Sequence, residues 1–126
     1  MSEPEWLSRQ ALELLHDESL VEHGGAGGLR DSGLLDSALA RTQNLFVYEG
    51  VTDPFLLAAT YAFGIAKNHP FVDGNKRAAF MAAGLFLRRN GVRLHADKAE
   101  AAMVTLDLAA GKITQSQFAE WLRRNS

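Results

Sequence analysis

Asn75-Lys76-Arg77-Ala78-Ala79-Phe80-Met81-Ala82-Ala83-Gly84-Leu85-Phe86-Leu87-Arg88-Arg89-Asn90-Gly91 is the stretch on which the fold turns. From Ala78 to Leu87 it is apolar almost all the way round, which no solvent-facing amphipathic helix tolerates. Asn90-Gly91 favours the left-handed backbone that closes a helix. The pattern predicts a helix from Asn75 to the Asn90-Gly91 pair, buried at the centre, with an all-α fold built around it.

The flanking segments supply helices to pack on it. Ser2 and Glu5 form a capping-box pattern with Pro4 in the first turn, predicting a helix that buries Leu7, Ala11, Leu14 and Leu15 and runs towards His23. Gly24-Gly25-Ala26-Gly27-Gly28 must stop it; lacking the Gly-Lys-Ser/Thr ending of a phosphate-cradling loop, this run reads as a connector. Asp31 caps a second helix with Leu34, Leu35, Ala38 and Leu39 inward, ending near Gln43-Asn44. Leu45 to Thr52 is aromatic, β-branched and interrupted by Gly50, and reads as a hairpin-like flap, with a packed connector as the plainer alternative. Asp53-Pro54 opens a helix carrying Phe55, Ala59, Ala62, Phe63 and Ala66 to Asn68. After a short extended piece from Val92 to His95, Asp97 caps a helix burying Ala101, Val104, Thr105 and Leu108, closed by Gly111. Thr114 with Gln117 opens a last one burying Phe118, Trp121 and Leu122. The expectation is an all-α, single-domain bundle of about six helices over residues 1–126 with a short hairpin-like flap.

Composition narrows the function. A chain of 126 residues, 47% hydrophobic, holds one core rather than two domains. Without cysteine there is no disulfide framework, zinc ribbon, iron–sulfur cluster or thiol nucleophile. Thirteen Lys and Arg against 15 Asp and Glu give a net charge of −2, which argues against direct nucleic-acid binding. The acidic Met1-Ser2-Glu3-Pro4-Glu5 start is unlike a signal peptide, and no run reaches the ~18 apolar residues of a membrane span. These features predict a cytoplasmic protein with no membrane association.

The chemistry concentrates before the central helix, in His69-Pro70-Phe71-Val72-Asp73-Gly74-Asn75-Lys76-Arg77. A helix N-terminus carries about half a positive charge and favours carboxylates, yet Lys76 and Arg77 stand in this first turn. Cations, free N–H groups and helix dipole converge as for an anion such as a phosphate chain, and Gly74 leaves the backbone open to close approach. Asp73 is a hard oxygen ligand beside this pocket, suited to magnesium bridging phosphates. His69 is the side chain best matched to taking a hydroxyl proton near neutral pH. Base, metal ligand and phosphate cradle within nine residues form the set that phosphotransfer needs. The plainer alternative is an ordinary turn with Asn75 as N-cap and Lys76-Arg77 as a solvated edge.

The same segment resembles the signature of the Fic/Doc family, His-x-Phe-x-Asp/Glu-Gly-Asn followed by Gly-Arg or Lys-Arg. The likeness extends to Gly28-Leu29-Arg30-Asp31, Leu34-Leu35-Asp36-Ser37-Ala38-Leu39, Tyr48-Glu49 and Leu85 to Gly91. Fic adenylyltransferases carry glycine where this chain has Lys76, and a second arginine where it has Phe80; at both positions the chain is similar to the Doc branch.

The resemblance implies the toxin of a type II toxin–antitoxin system: an ATP- and Mg2+-dependent kinase-like enzyme that phosphorylates a threonine of elongation factor Tu and stops translation. It implies His69 as general base, Asp73 as magnesium ligand, and Gly74, Asn75, Lys76 and Arg77 as phosphate-holding residues. Phe71 would be a buried plug, and Phe46, Val47, Tyr48, Glu49, Gly50, Val51 and Thr52 a flap that clamps target polypeptide by strand addition. The self-inhibiting Ser/Thr-x-x-x-Glu-Gly/Asn motif is not matched, since Trp121 follows Glu120. Restraint is therefore expected from a cognate antitoxin whose C-terminal segment folds into a surface groove. The alternatives are Fic-type AMP transfer with the same residues, and a non-catalytic antitoxin-binding or co-repressor module. His16 and His23, seven apart, read as surface residues, and His95 stands alone.

Overall fold

The structure, a computed structural model, describes residues 3–126. Among them there are six helices: α1 (Arg9–His23), α2 (Ser32–Glu49), α3 (Pro54–Asn68), α4 (Asn75–Arg89), α5 (Lys98–Ala109) and α6 (Gln115–Arg124). No strand forms among these residues; the extended pairing is one isolated antiparallel bridge, Leu29 with Phe71. The all-α bundle read from the sequence is the fold.

Four helix starts follow from their caps. The side chains of Asp31, Asp53 and Asp97 accept from Leu34, Phe55 and Glu100 N–H, and Thr114 with Gln117 makes a full capping box. The first helix departs from expectation. Ser2 lies outside the described residues, and α1 starts only at Arg9, where the Ser8 hydroxyl accepts from Ala11 N–H. Residues 3–8 stay non-helical because tertiary contacts claim them. Glu5 exchanges both its backbone groups with the Asn90 amide at 2.9 and 3.0 Å, Trp6 packs on Phe46 and Phe86, and Leu7 N–H donates to Tyr61 Oη at 3.1 Å. The later start changes the buried stripe to Leu12, His16 and Ser19, leaving Leu14 60% exposed.

The hairpin-like flap is corrected too. Phe46, Val47, Tyr48 and Glu49 belong to the last turns of α2, Gly50 closes them in the left-handed conformation, and only Val51 and Thr52 lie in the irregular linker. Leu45 and Phe46 continue the stripe of Leu39 and Thr42, and Phe46 meets Trp6 edge-on at 5.4 Å. That core contact holds as helix a stretch whose β-branched and aromatic residues favoured a strand.

The centre of the bundle is α3 rather than α4. Nine of its 15 residues are buried against seven of 15 in α4, and α2, α4, α5 and α6 all pack on it. Both helices are rich in buried alanine (Ala58, Ala59, Ala62 and Ala66 in α3; Ala78, Ala79, Ala82 and Ala83 in α4), and Tyr61 of α3 packs on Phe86 of α4 with ring centroids 5.2 Å apart. The remaining apolar face of α4, with Phe80 and Met81 half-buried, points elsewhere.

Candidate active site

That second face of α4 lines a cavity of ≈ 910 Å³, within the range of small-ligand sites. Leu15, Glu18, Ser19 and Glu22 of α1 form one wall and Lys98, Ala101, Thr105 and Leu106 of α5 the other. Its polar end is the α3–α4 loop with the first turn of α4: His69, Asp73, Gly74, Asn75, Lys76 and Arg77 all border it. The loop residues singled out from sequence are thus brought together. The flap residues Phe46 to Thr52 are not among those lining it.

Each end of the loop is held by groups remote in sequence. His69 caps α3 with φ 50°, the one non-glycine residue with positive φ among those described, and its ring is exposed. Such a conformation costs an L-residue about 1–2 kcal/mol, so it needs support. Arg30 supplies it: Nε donates to His69 O and Nη2 to Asn68 O, both at 2.7 Å. Pro70 O accepts from Arg30 and Asp31 N–H, Val72 N–H donates to Gly28 O at 3.1 Å, and Phe71 is buried. The glycine run is therefore more than a connector. Gly28 pairs with the loop, and a Cβ on Gly25 would lie 2.8 Å from Asp73 Oδ2.

Asn75 is the internal staple. Buried at 7% exposure, its Oδ1 accepts from Phe71 N–H and its Nδ2 donates to Phe71 O, both at 2.9 Å. Its side chain is committed to the loop, so only its backbone N–H faces the start of the helix. Nδ2 also lies 3.4 Å from His69 Nδ1, the long limit of a hydrogen bond. That contact does not lock the imidazole tautomer; proton removal by Nε2 requires the form carrying hydrogen on Nδ1.

Gly74, left-handed at φ 75°, is the N-cap of α4, and no side chain caps this helix. Asn75 is therefore not the N-cap of an ordinary turn. The orphan N–H groups of the first turn, which every helix must satisfy somehow, are left for an outside acceptor. Lys76 is exposed and Arg77 half-buried, reaching Ser19 Oγ and O only at 3.4 and 3.5 Å. Among the described residues neither forms an ion pair with a carboxylate. Asp73 is exposed; its Oδ1 accepts from Gly74 N–H at 2.8 Å and its carbonyl lies 2.7 Å from His16 Nε2.

Sequence reasoning missed two of these supports. The sequence reads His16 as a surface residue, yet it is 2% exposed and stacks on the Phe71 ring at 3.9 Å. Its spacing with Leu12 and Ser19 would have marked it as inward had α1 been started at Ser8. Arg30, beside the helix cap Asp31, carries no local signal; its partners lie 38 and 39 residues away.

A family profile described as Fic/DOC family matches residues 6–87. The chain is 42% identical over 118 residues to the "Protein kinase doc" of Escherichia phage P1, covering 94% of this chain and 93% of that protein. It is 48% identical over 79 residues to the "Toxin Doc" of Mycolicibacterium smegmatis, covering 61% of this chain and 60% of the relative. With a profile match across well over half its length and a near-full-length relative at this identity, the chain belongs to the Fic/Doc family.

Proposed function

We propose that this protein is the toxin of a type II toxin–antitoxin pair, acting in the cytoplasm as an ATP- and Mg2+-dependent kinase on a threonine hydroxyl of a translation factor, elongation factor Tu. The observation that carries it is the meeting of His69, Asp73 and the uncapped, cationic N-terminus of α4 at one end of a ligand-sized cavity. The printed names of the relatives, a protein kinase and a toxin, agree with it.

The donor set fits magnesium. Among the described residues no three His, Cys, Asp or Glu side chains cluster as a metal site, so Asp73 would be the single protein carboxylate. Mg2+ is usually held this way, by one or two carboxylates with phosphate oxygens and water, whereas zinc demands a fuller protein set. When bound, the ion neutralises charge developing on the phosphates.

The residues divide the work of positioning and charge stabilisation. The first-turn N–H groups of α4 with Lys76 and Arg77 hold the phosphate chain. His69 Nε2 takes the proton of the target hydroxyl as its oxygen bonds to the γ-phosphorus; the bond to the β–γ bridging oxygen breaks and ADP leaves with the electron pair. Lys76 occupies space that glycine would leave to phosphates, and Phe80, packed on Trp121 at 6.1 Å, places no second arginine along the helix. Both favour presentation of the γ- rather than the α-phosphate. The antitoxin's C-terminal segment would lie in the apolar part of the groove along Phe80, Met81 and Leu106. Neither nucleic acid nor membrane enters the scheme.

The test is incubation with elongation factor Tu and ATP labelled at the α- or γ-phosphate. Transfer of γ-label is expected, and His69→Ala should abolish it in a folded protein. Transfer of α-label would make the protein an adenylyltransferase. No transfer of either from a folded sample would leave a binding module and refute the kinase reading.

A further inference from the structure

The buried histidine of α1 has no part in that scheme, yet its surroundings define a task. The side chain of His16 is 2% exposed, so its polar atoms need partners inside the protein. Nε2 lies 2.7 Å from the Asp73 carbonyl oxygen, 57 residues away. A carbonyl only accepts, so Nε2 carries the hydrogen and the tautomer at this position is fixed. The ring lies nearly parallel to Phe71, centroids 3.9 Å apart and planes at 17°, which sets its orientation as well. A Cβ on Gly74 would come within 3.3 Å of Nε2, so the imidazole also covers the residue at which α4 begins.

We infer that His16 is a positioning residue for the Asp73–Gly74 turn, acting through the Asp73 carbonyl to aim the Asp73 carboxylate at the metal that would accompany the phosphates. The Asp73 side chain is exposed, and the two soft torsions of its residue set where the carboxylate points. The donated hydrogen bond fixes the peptide plane between Asp73 and Gly74. That plane directs Gly74 N–H, which in turn donates to Asp73 Oδ1 at 2.8 Å and sets the carboxylate rotamer. Arg30 holds the His69 end of the loop and Asn75 its middle; the Asp73 end has His16. Outer contacts of this kind govern how well a ligating group is presented, and their loss typically weakens metal affinity 10–100-fold. The inference rests on the reading of Asp73 and the α4 N-terminus as the metal and phosphate end of the site.

Two substitutions separate the hydrogen bond from the packing. His16→Phe keeps a ring on Phe71 and removes the donor; His16→Gln keeps an N–H at a similar reach and removes the ring. Binding of ATP is measured calorimetrically across a magnesium titration, with kcat and KM determined for transfer. His16→Phe is expected to remain folded, to lose roughly tenfold or more in magnesium-dependent ATP affinity, and to bind ATP like the parent when magnesium is chelated. His16→Gln is expected to recover most of that loss although its core is packed less well. Magnesium-dependent binding at the parent level in His16→Phe, or equal impairment in both variants, would overturn the inference. A further readout is independent of nucleotide and of activity: nitrogen NMR of the ring should report the Nε2–H tautomer, and His16→Phe should speed exchange of the Gly74 amide hydrogen. An Nδ1–H tautomer, or unchanged exchange, would overturn the positioning role even where ATP does not bind and the kinase reading itself has failed.

Discussion

Gly25→Ala tests whether the glycine run touches the site or merely passes it. Gly25 has φ +120°, a region L-residues rarely enter, and an added Cβ would stand 2.8 Å from Asp73 Oδ2 and 3.0 Å from Leu20 Cδ2. Its neighbour Gly24 has φ +81° and nothing within 4 Å of the corresponding position, so Gly24→Ala is the control. Both substitutions carry a backbone penalty of about 1–3 kcal/mol for a non-glycine residue in a sparsely populated conformation. What an added Cβ would meet differs between them. Asp73 Oδ2 is the free end of an exposed side chain, so the carboxylate rotates away instead of the loop unfolding, and the added cost falls on ligand binding. With Asp73 in its proposed role as metal ligand, the displacement should weaken magnesium-dependent ATP affinity about 10-fold or more, equivalent to about 1.4 kcal/mol. Denaturant unfolding of the two variants should give losses alike to within about 1 kcal/mol, while calorimetric ATP titration in magnesium separates them. If both shift magnesium dependence equally, or neither does, Gly25 does not bear on Asp73. If Gly25→Ala leaves stability unchanged, the backbone there is not as described.

Three further predictions address other parts of the molecule. Gly64→Ala and Gly84→Ala each gain about 1 kcal/mol of helix propensity, but the first drives a methyl to 3.2 Å from Ala38 Cα in packed α2, whereas the second meets only Leu94 Cδ1 at 4.0 Å. Gly84→Ala should therefore stabilise and Gly64→Ala destabilise in urea unfolding; the reverse order would contradict the α2–α3 packing. Arg30→Met removes two 2.7 Å donors to the carbonyls of Asn68 and His69, and because Arg30 is exposed, water recovers part of the loss, leaving about 1–2 kcal/mol. Single-turnover transfer should slow about 10-fold with ATP affinity unchanged, Arg30→Lys should fall between, and an unaffected rate would count against the clamp. Burial pushes the Tyr61 hydroxyl up to about 12, partly offset by the N–H it accepts from Leu7. The neutral phenol is thus favoured by folding: its contribution is whole below the unfolded value near 10 and is lost as pH rises from there through about 12, some 2–3 kcal/mol in all. Tyr61→Phe should be less stable at neutral pH for want of Leu7's acceptor and should fall less between those limits; parallel pH profiles would refute the burial argument.

Signals contained within a few residues were legible in the sequence. Asp31, Asp53-Pro54, Asp97 and Thr114 with Gln117 start helices where they stand because a cap satisfies the adjoining N–H groups. The chemistry-bearing segment was legible for the same reason, and the buried Phe71 within it. Errors arose where distant partners outbid local preference. Pro4 sits in a good first turn, but Asn90 and Tyr61 claim the backbone of Glu5 and Leu7. Phe46 to Glu49 read as flap until Trp6 is seen to hold Phe46 in α2. The apolar circumference of α4 pointed to burial on every side, whereas it faces the alanines of α3 on one side and the cavity on the other. A helix that is apolar all round thus fits a place between a core and a binding groove as well as the middle of a core, and periodicity alone does not separate the two.

In the proposed scheme His69, Asp73, Lys76 and Arg77 supply the groups that act, but none of them sets its own direction. His69 is held in an unfavourable backbone conformation by Arg30, Asp73 is aimed by His16 and bounded by Gly25, and Asn75 spends its side chain closing the loop. Rate and affinity depend on placement to within fractions of an ångström, so the holders control the chemistry almost as tightly as the groups they hold. A relative with an intact nine-residue signature but an aliphatic residue at the position of His16, or a bulky one at that of Gly25, should therefore fold, display every reacting side chain, and transfer phosphate poorly. The state of the loop's outside anchors, two on α1 and the glycine run and one at Arg30, decides whether an intact signature is an active one.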